Sequence, residues 1–160
     1  IITFGGNIGL HTDFMSASDA KAQWQDMTAD GSTPMGPAME LAAKVIEDKN
    51  VITGRAYRPT VILVSEGQPD HGWQTGLDQL TKQGRAQKAV RMALAIGADA
   101  DVGMLQRFLG NSENKVFKVD DARRIKDFFQ FVTMSVTART RSVNPNDVPK
   151  MDDPFGLDQL

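Results

Sequence analysis

Cysteine is absent from the 160 residues, which excludes thiol catalysis, iron–sulfur clusters, cysteine-built zinc sites and any disulfide framework. Histidine is nearly absent: His11 and His71 are the two present, and neither sits in a metal-spacing pair, so both read as surface or capping residues. Excess charge of one sign is also missing. Against 20 Asp+Glu stand 18 Lys+Arg, a formal net charge of -2, which argues against a nucleic-acid partner because duplex binding shows a concentrated basic surface. The two basic clusters, Arg85–Arg91 and Arg139–Arg141, read as ordinary solvated faces. No apolar run approaches the roughly 20 residues that span a bilayer, and no charged-then-apolar leader opens the chain. The expectation is a soluble, cytoplasmic chain with no membrane partner.

What is present suits one domain, since a chain of this length buries roughly 70% of the surface its unfolded form exposes. Ile1-Ile2-Thr3-Phe4 reads as a strand, and Gly5-Gly6-Asn7 as the turn that ends it. With no initiator Met or leader before that strand, the opening is expected to lie inside a larger domain. Leu10–Met15 alternates weakly and predicts a half-exposed edge strand. Ser18-Asp19 offers an N-cap for a short helix through Trp24. Ala38, Leu41, Ala42, Val45 and Ile46 form one apolar helical stripe, entered from an Asp30–Pro37 loop in which Thr33 before Pro34 is a natural N-cap.

Val61-Ile62-Leu63-Val64 is a continuous apolar run bounded by turn residues, the pattern of a parallel strand buried on both faces. Trp73, Leu77 and Leu80 mark a helix, Met92–Ile96 a strand, Val102–Leu109 a helix and Val116–Val119 a strand. Ile125, Phe128, Phe129, Val132 and Val136 line one face of a long helix over 122–139. This alternation predicts an α/β fold, a mostly parallel Rossmann-like sheet with helices on both faces. Residues 143–160, with three of the seven prolines, predict an extended or disordered tail after a domain spanning 1–142.

In such a sheet, ligands sit beyond the carboxyl ends of the strands. Two loops therefore matter: Gly31–Gly36, and Ser65–Asp70 leaving the Val61–Val64 strand. Gly5–Gly9 lacks the dinucleotide-binding spacing and no Walker-type loop occurs. Asp99-Ala100-Asp101 lacks the calcium-loop pattern, so capping of the Val102 helix explains it. Glu66, one residue beyond the four apolar residues Val61–Val64 at a strand's carboxyl end, is where an α/β protein keeps a functional group.

The combination Gly31-Ser32-Thr33-Pro34-Met35-Gly36 and Val61-Ile62-Leu63-Val64-Ser65-Glu66-Gly67-Gln68-Pro69-Asp70, in this order, resembles the von Willebrand factor type A (vWA) domain. Ala95–Asp101 and Phe128–Val136 are similar to its bacterial tellurium-resistance-associated (TerY-like) branch. The resemblance implies a metal-ion-dependent adhesion site for Mg2+, with Thr33 a direct ligand, Glu66 a direct or water-mediated one, and Asp70 a neighbour. It also implies a protein-interaction module in a stress-response or defence complex. The protein partner is then met through an acidic side chain at a rim of Thr33, Met35, Gln68 and Pro69.

Two departures stand out. Glu66 replaces the family's Asp, and no Asp-x-Ser-x-Ser lies upstream of Thr33, so the first central strand of the sheet is expected to be missing from this chain and the metal site to be incomplete. Two alternatives remain: a vWA-derived scaffold that no longer binds metal, and a magnesium-dependent phosphoryl hydrolase using Glu66, Asp70 and His71. The primary expectation is a binding protein with no catalytic residues.

Overall fold

Gly6, at φ 64°, supplies the left-handed backbone that a two-strand turn needs, and the chain doubles back there at once. Strand β1 (Ile2–Gly5) pairs antiparallel with β2 (Asn7–Leu10), in the register Phe4 opposite Ile8. The edge strand expected over Leu10–Met15 is thus displaced toward the N-terminus, because the turn is tighter than the Gly-Gly-Asn reading allowed. Helix α1 (Ala17–Ala22) is capped by Ser16, whose side chain accepts from the Asp19 amide, two residues before the expected cap. The computed structural model describes residues 1–28, 30–110, 115–146 and 153–160.

The chain forms two compact units, each assembled from separated stretches: Ile1–Gly54 with Pro69–Gln87, and Arg55–Gln68 with Lys88–Leu160. In the first unit, α2 (Met35–Glu47) packs on α3 (Trp73–Lys82) and on β1. With neighbours on more than one side, α2 needs more than one apolar stripe. Met35, Met39, Ala43 and Ile46 are the deeply buried positions, while the expected Leu41, Ala42 and Val45 are only half-buried. Arg85 fastens the connection after α2, its Nη1 donating to the carbonyls of Ile46 and Ile52 at 3.1 and 2.9 Å. The Glu47 carboxylate accepts from the amides of Arg85 and Ala86.

The second unit is built on a mostly parallel sheet in the order β3-β4-β5-β6. Strand β3 (Thr60–Ser65) pairs in parallel with β4 (Val90–Ile96), and β4 with β5 (Val116–Val119). Among the described residues β3 pairs on one side alone, with β4, and so stands at the end of the sheet. Alternation along β4 sorts the two faces. Met92 and Leu94 join Phe117, Val119, Phe128, Phe131 and Val132 in the cluster under α5 (Ala122–Thr140), where Phe117 lies 5.3 Å from Phe128 and 5.2 Å from Phe131, centroid to centroid. Ala93 and Ala95 point the other way, fully buried, on the face where α4 (Val102–Leu109) lies against β4. This is the mixed α/β, Rossmann-like arrangement with a helix on each sheet face.

Phe129, expected on the inner stripe of α5, is 44% exposed, and Phe131 is buried in its place. Of residues 153–160, β6 (Asp158–Gln159) pairs antiparallel with β5, Leu157 joins the α5 cluster, and Arg124 donates to the Phe155 and Gly156 carbonyls at 3.0 and 2.6 Å. Among the described residues no helix is long and apolar enough to cross a membrane.

Candidate functional site

The Thr33 loop is set by backbone contacts within the first unit. Gly31 has φ 77°, and a Cβ there would stand 2.6 Å from the Cα of Gly6, so glycine is required on both counts. The Gly6 amide donates to the Ser32 carbonyl at 3.0 Å, seating the loop on the hairpin turn. Asp70 then fixes Thr33 from both sides of its peptide: the Thr33 amide donates to Asp70 Oδ1 at 3.0 Å, and the Asp70 amide donates to the Thr33 carbonyl at 3.0 Å. That carbonyl also accepts from the Met35 amide at 2.7 Å.

Thr33 is therefore not the N-cap expected of it. Pro34 occupies that position with no side-chain cap, because the Thr33 peptide is committed to Asp70, a residue 37 positions away. The Thr33 hydroxyl makes no hydrogen bond among the described residues. Met35 is 0% exposed, which removes it from the expected partner-binding set: as the first residue of α2 it points into the core. Pro69 is half-buried, and Asp70 and His71 are exposed.

A second determinant of this geometry lies beneath the loop. Gly36 and Gly76, each in the first turn of its helix, meet where α2 and α3 cross. A Cβ on Gly76 would stand 2.6 Å from the carbonyl carbon and 2.9 Å from the Cα of Gly36. A Cβ on Gly36 would stand 2.8 Å from the Cα of Trp73. This crossing brings the chain after Pro69 close enough for Asp70 to hold Thr33. The sequence signal for it was Gly76 inside the Trp73–Leu80 periodic segment, a residue that weakens a helix unless a close approach demands it.

In the second unit, β3 ends at Ser65, whose buried hydroxyl accepts from the Gly67 amide at 3.4 Å, and the chain turns. Glu66 follows directly and is exposed, at the carboxyl end of a parallel strand as expected. Gln68 Nε2 donates to the Asp99 carbonyl at 3.1 Å, tying this turn to the loop after β4. Asp101 caps α4 by accepting from the Met104 amide at 2.9 Å, the capping role read from the sequence.

Magnesium requires a near-octahedral shell of oxygens. Among the described residues no group of three or more acidic or histidine side chains is placed to hold a metal ion, and Asp70 Oδ1 is engaged by the Thr33 amide. Thr33 and Glu66 offer one hydroxyl and one carboxylate, too few to make that shell by themselves.

No family model and no solved structure matches the chain. It is similar to inter-alpha-trypsin inhibitor heavy chain H6 of Homo sapiens, 26% identical over 147 residues. The match covers 86% of this chain and 11% of that protein, so the chain spans about a tenth of the relative's length. That likeness supports a vWA-type interaction module as the coarse reading and does not single out any branch of the family.

Proposed function

We propose that this chain is a vWA-type protein-interaction module that meets its partner through the Thr33 loop of the first unit, with Thr33 and Pro69, and through the turn after β3 in the second unit, with Glu66 and Gln68. The observation that carries the reading is the reciprocal hydrogen bonding of Thr33 and Asp70. Asp70 spends its side chain and amide on positioning the Thr33 peptide, and the Thr33 hydroxyl keeps its donor for something else. A loop fixed by its backbone with an uncommitted polar group is prepared for recognition, since little ordering remains to be done on binding.

The partner of this proposal is a protein offering an acidic side chain. In its metal-assisted form, the Thr33 hydroxyl and the Glu66 carboxylate are the oxygens the chain would offer to Mg2+, which would supply positive charge to attract that carboxylate and would need further oxygen ligands. The alternative is a scaffold that meets its partner without metal. The hydrolase alternative would need a nucleophile or general base held beside a metal, with Glu66, Asp70 and His71 as its candidates. The runs Ala95–Asp101 and Phe128–Val136, similar to the TerY-like branch, extend the proposal to a bacterial stress-response or defence complex in the cytoplasm.

The test is affinity capture with the chain and its variants as bait. Thr33→Ala and Glu66→Ala should each lose the protein that the parent retains, with unchanged circular dichroism. If both retain it while Phe129→Ser or Met134→Ser on the exposed face of α5 loses it, the interaction lies on α5 and the loop reading is wrong.

A further inference from the structure

Ile125, Phe128, Val132, Ser135 and Arg139 follow one another along α5 at intervals of three and four residues, a single stripe on the helix surface. Its first part is apolar and packs in the cluster with β4 and β5. Its last two members are polar: Arg139 is buried, and Ser135 is half-buried with its Oγ closed to solvent. Arg139 is 5% exposed, contrary to the solvated basic face expected at Arg139–Arg141. Its Nη2 donates to the Arg58 carbonyl at 2.9 Å, whereas Nε and Nη1, together with Ser135 Oγ, are buried without a hydrogen-bond partner. Two orphaned donor groups one helical turn apart are hard to attribute to chance, because buried polar groups are hydrogen-bonded in the great majority of cases.

Among the described residues no acidic side chain forms an ion pair with Arg139 or Arg58. Burial, and after it the positive charge of Arg58, lower the Arg139 pKa from its ordinary value. Arginine nonetheless keeps its proton in proteins, so this guanidinium cannot relieve its situation by neutralising. What would relieve it is an acceptor with negative charge.

We propose that Ser135 and Arg139, with Arg58 beside them, form a binding seat for a carboxylate in the second unit. A carboxylate matches the planar fork of a guanidinium, accepts from a serine hydroxyl with a remaining lone pair, and brings one negative charge to a site of two positive ones. Its small, flat shape suits a seat whose donors are closed to solvent. Arg58, whose carbonyl accepts from Arg139, is exposed, and its Nη1 donates to the Asn146 carbonyl at 3.4 Å. This site is independent of the Thr33 loop.

The experiment titrates the full chain with sodium formate, with N-acetyl-aspartate methylamide, and with sodium chloride and phosphate at matched ionic strength. The readouts are the melting temperature and the nitrogen–proton resonance of Arg139 Nε. A saturable response to formate that chloride does not give supports the seat. Response to formate alone assigns it to a small free carboxylate; response to the capped aspartate as well assigns it to an acidic side chain of a polypeptide.

Ser135→Ala should weaken the apparent affinity about tenfold, the loss of one charge-assisted hydrogen bond. Arg139→Met should abolish the response while leaving the circular dichroism intact. Should Arg139→Met fail to fold, the Ser135→Ala shift decides alone. No response, an equal response to chloride, a response to phosphate but not to formate, or one that survives both substitutions overturns the proposal.

Discussion

Gly76→Ala sets two effects of similar size against each other. In an unobstructed helix interior, alanine in place of glycine stabilises by up to about 1 kcal/mol through backbone entropy. Here the added methyl would meet the carbonyl carbon and Cα of Gly36 at 2.6 and 2.9 Å. Those are backbone atoms of a second helix that cannot rotate aside, so α2 and α3 must separate, and overpacking of this kind costs about 1–3 kcal/mol or more. With the clash at the upper end, because backbone meets backbone, the net loss is about 2 kcal/mol.

For a chain of this size that corresponds to a fall in melting temperature of about 4–8 °C. Thermal unfolding followed by circular dichroism at 222 nm measures it, with Thr75→Ala, an exposed position one residue earlier in α3, as a control that should change little. Gly36→Ala should cost a similar amount, and the two should not add, since both strain one crossing. A melting temperature for Gly76→Ala equal to or above the parent's would mean that α2 and α3 do not meet at these glycines.

Asp70→Ala should lose about 1 kcal/mol and speed amide hydrogen exchange at Thr33, while Asp70→Asn, which keeps an Oδ1 acceptor, should lose less; equal exchange in all three would remove Asp70 from its positioning role. Leu157→Ala empties a position 5% exposed in the α5 cluster and should destabilise by about 2–4 kcal/mol in a denaturant melt, whereas a surface-like loss under 0.5 kcal/mol would show that the tail does not dock. Millimolar magnesium should leave the melting temperature of residues 1–160 unchanged, because the described ligands do not complete a shell; a rise abolished by Thr33→Ala would show a self-sufficient site.

Where burial is decided by local pattern, the sequence was informative. The apolar runs at Val61–Val64 and Met92–Ile96 became β3 and β4, and the Asp101 cap on α4 was legible from its spacing. What escaped depends on partners far along the chain. The role of Thr33 is decided by Asp70, and the second apolar stripe of α2 exists because α3 covers it. Arg139 sits beside another charged residue and reads as surface until the stripe it continues, from Phe128 through Val132, is seen to be the one facing the sheet. The β2 error had a local cause: Gly6 turns the chain two residues sooner than an alternation rule detects. For the site, the positions of Thr33 and Glu66 at loop ends followed from fold logic, while the burial of Met35 did not, since a residue next to a binding loop is as well placed to begin a helix core as to face a partner.

The two compact units are interleaved along the chain, which passes from one to the other after Gly54, after Gln68 and after Gln87. During synthesis, therefore, neither can be finished before the other has begun. Strand β3 emerges while the first unit still lacks α3, and must wait through the whole of α3 for its partner β4. Ordering is imposed by the chain rather than by stability, and no single cut liberates either unit: a cut after Gly54 divides the first, a cut after Gln87 divides the second, and a cut after Gln68 divides both.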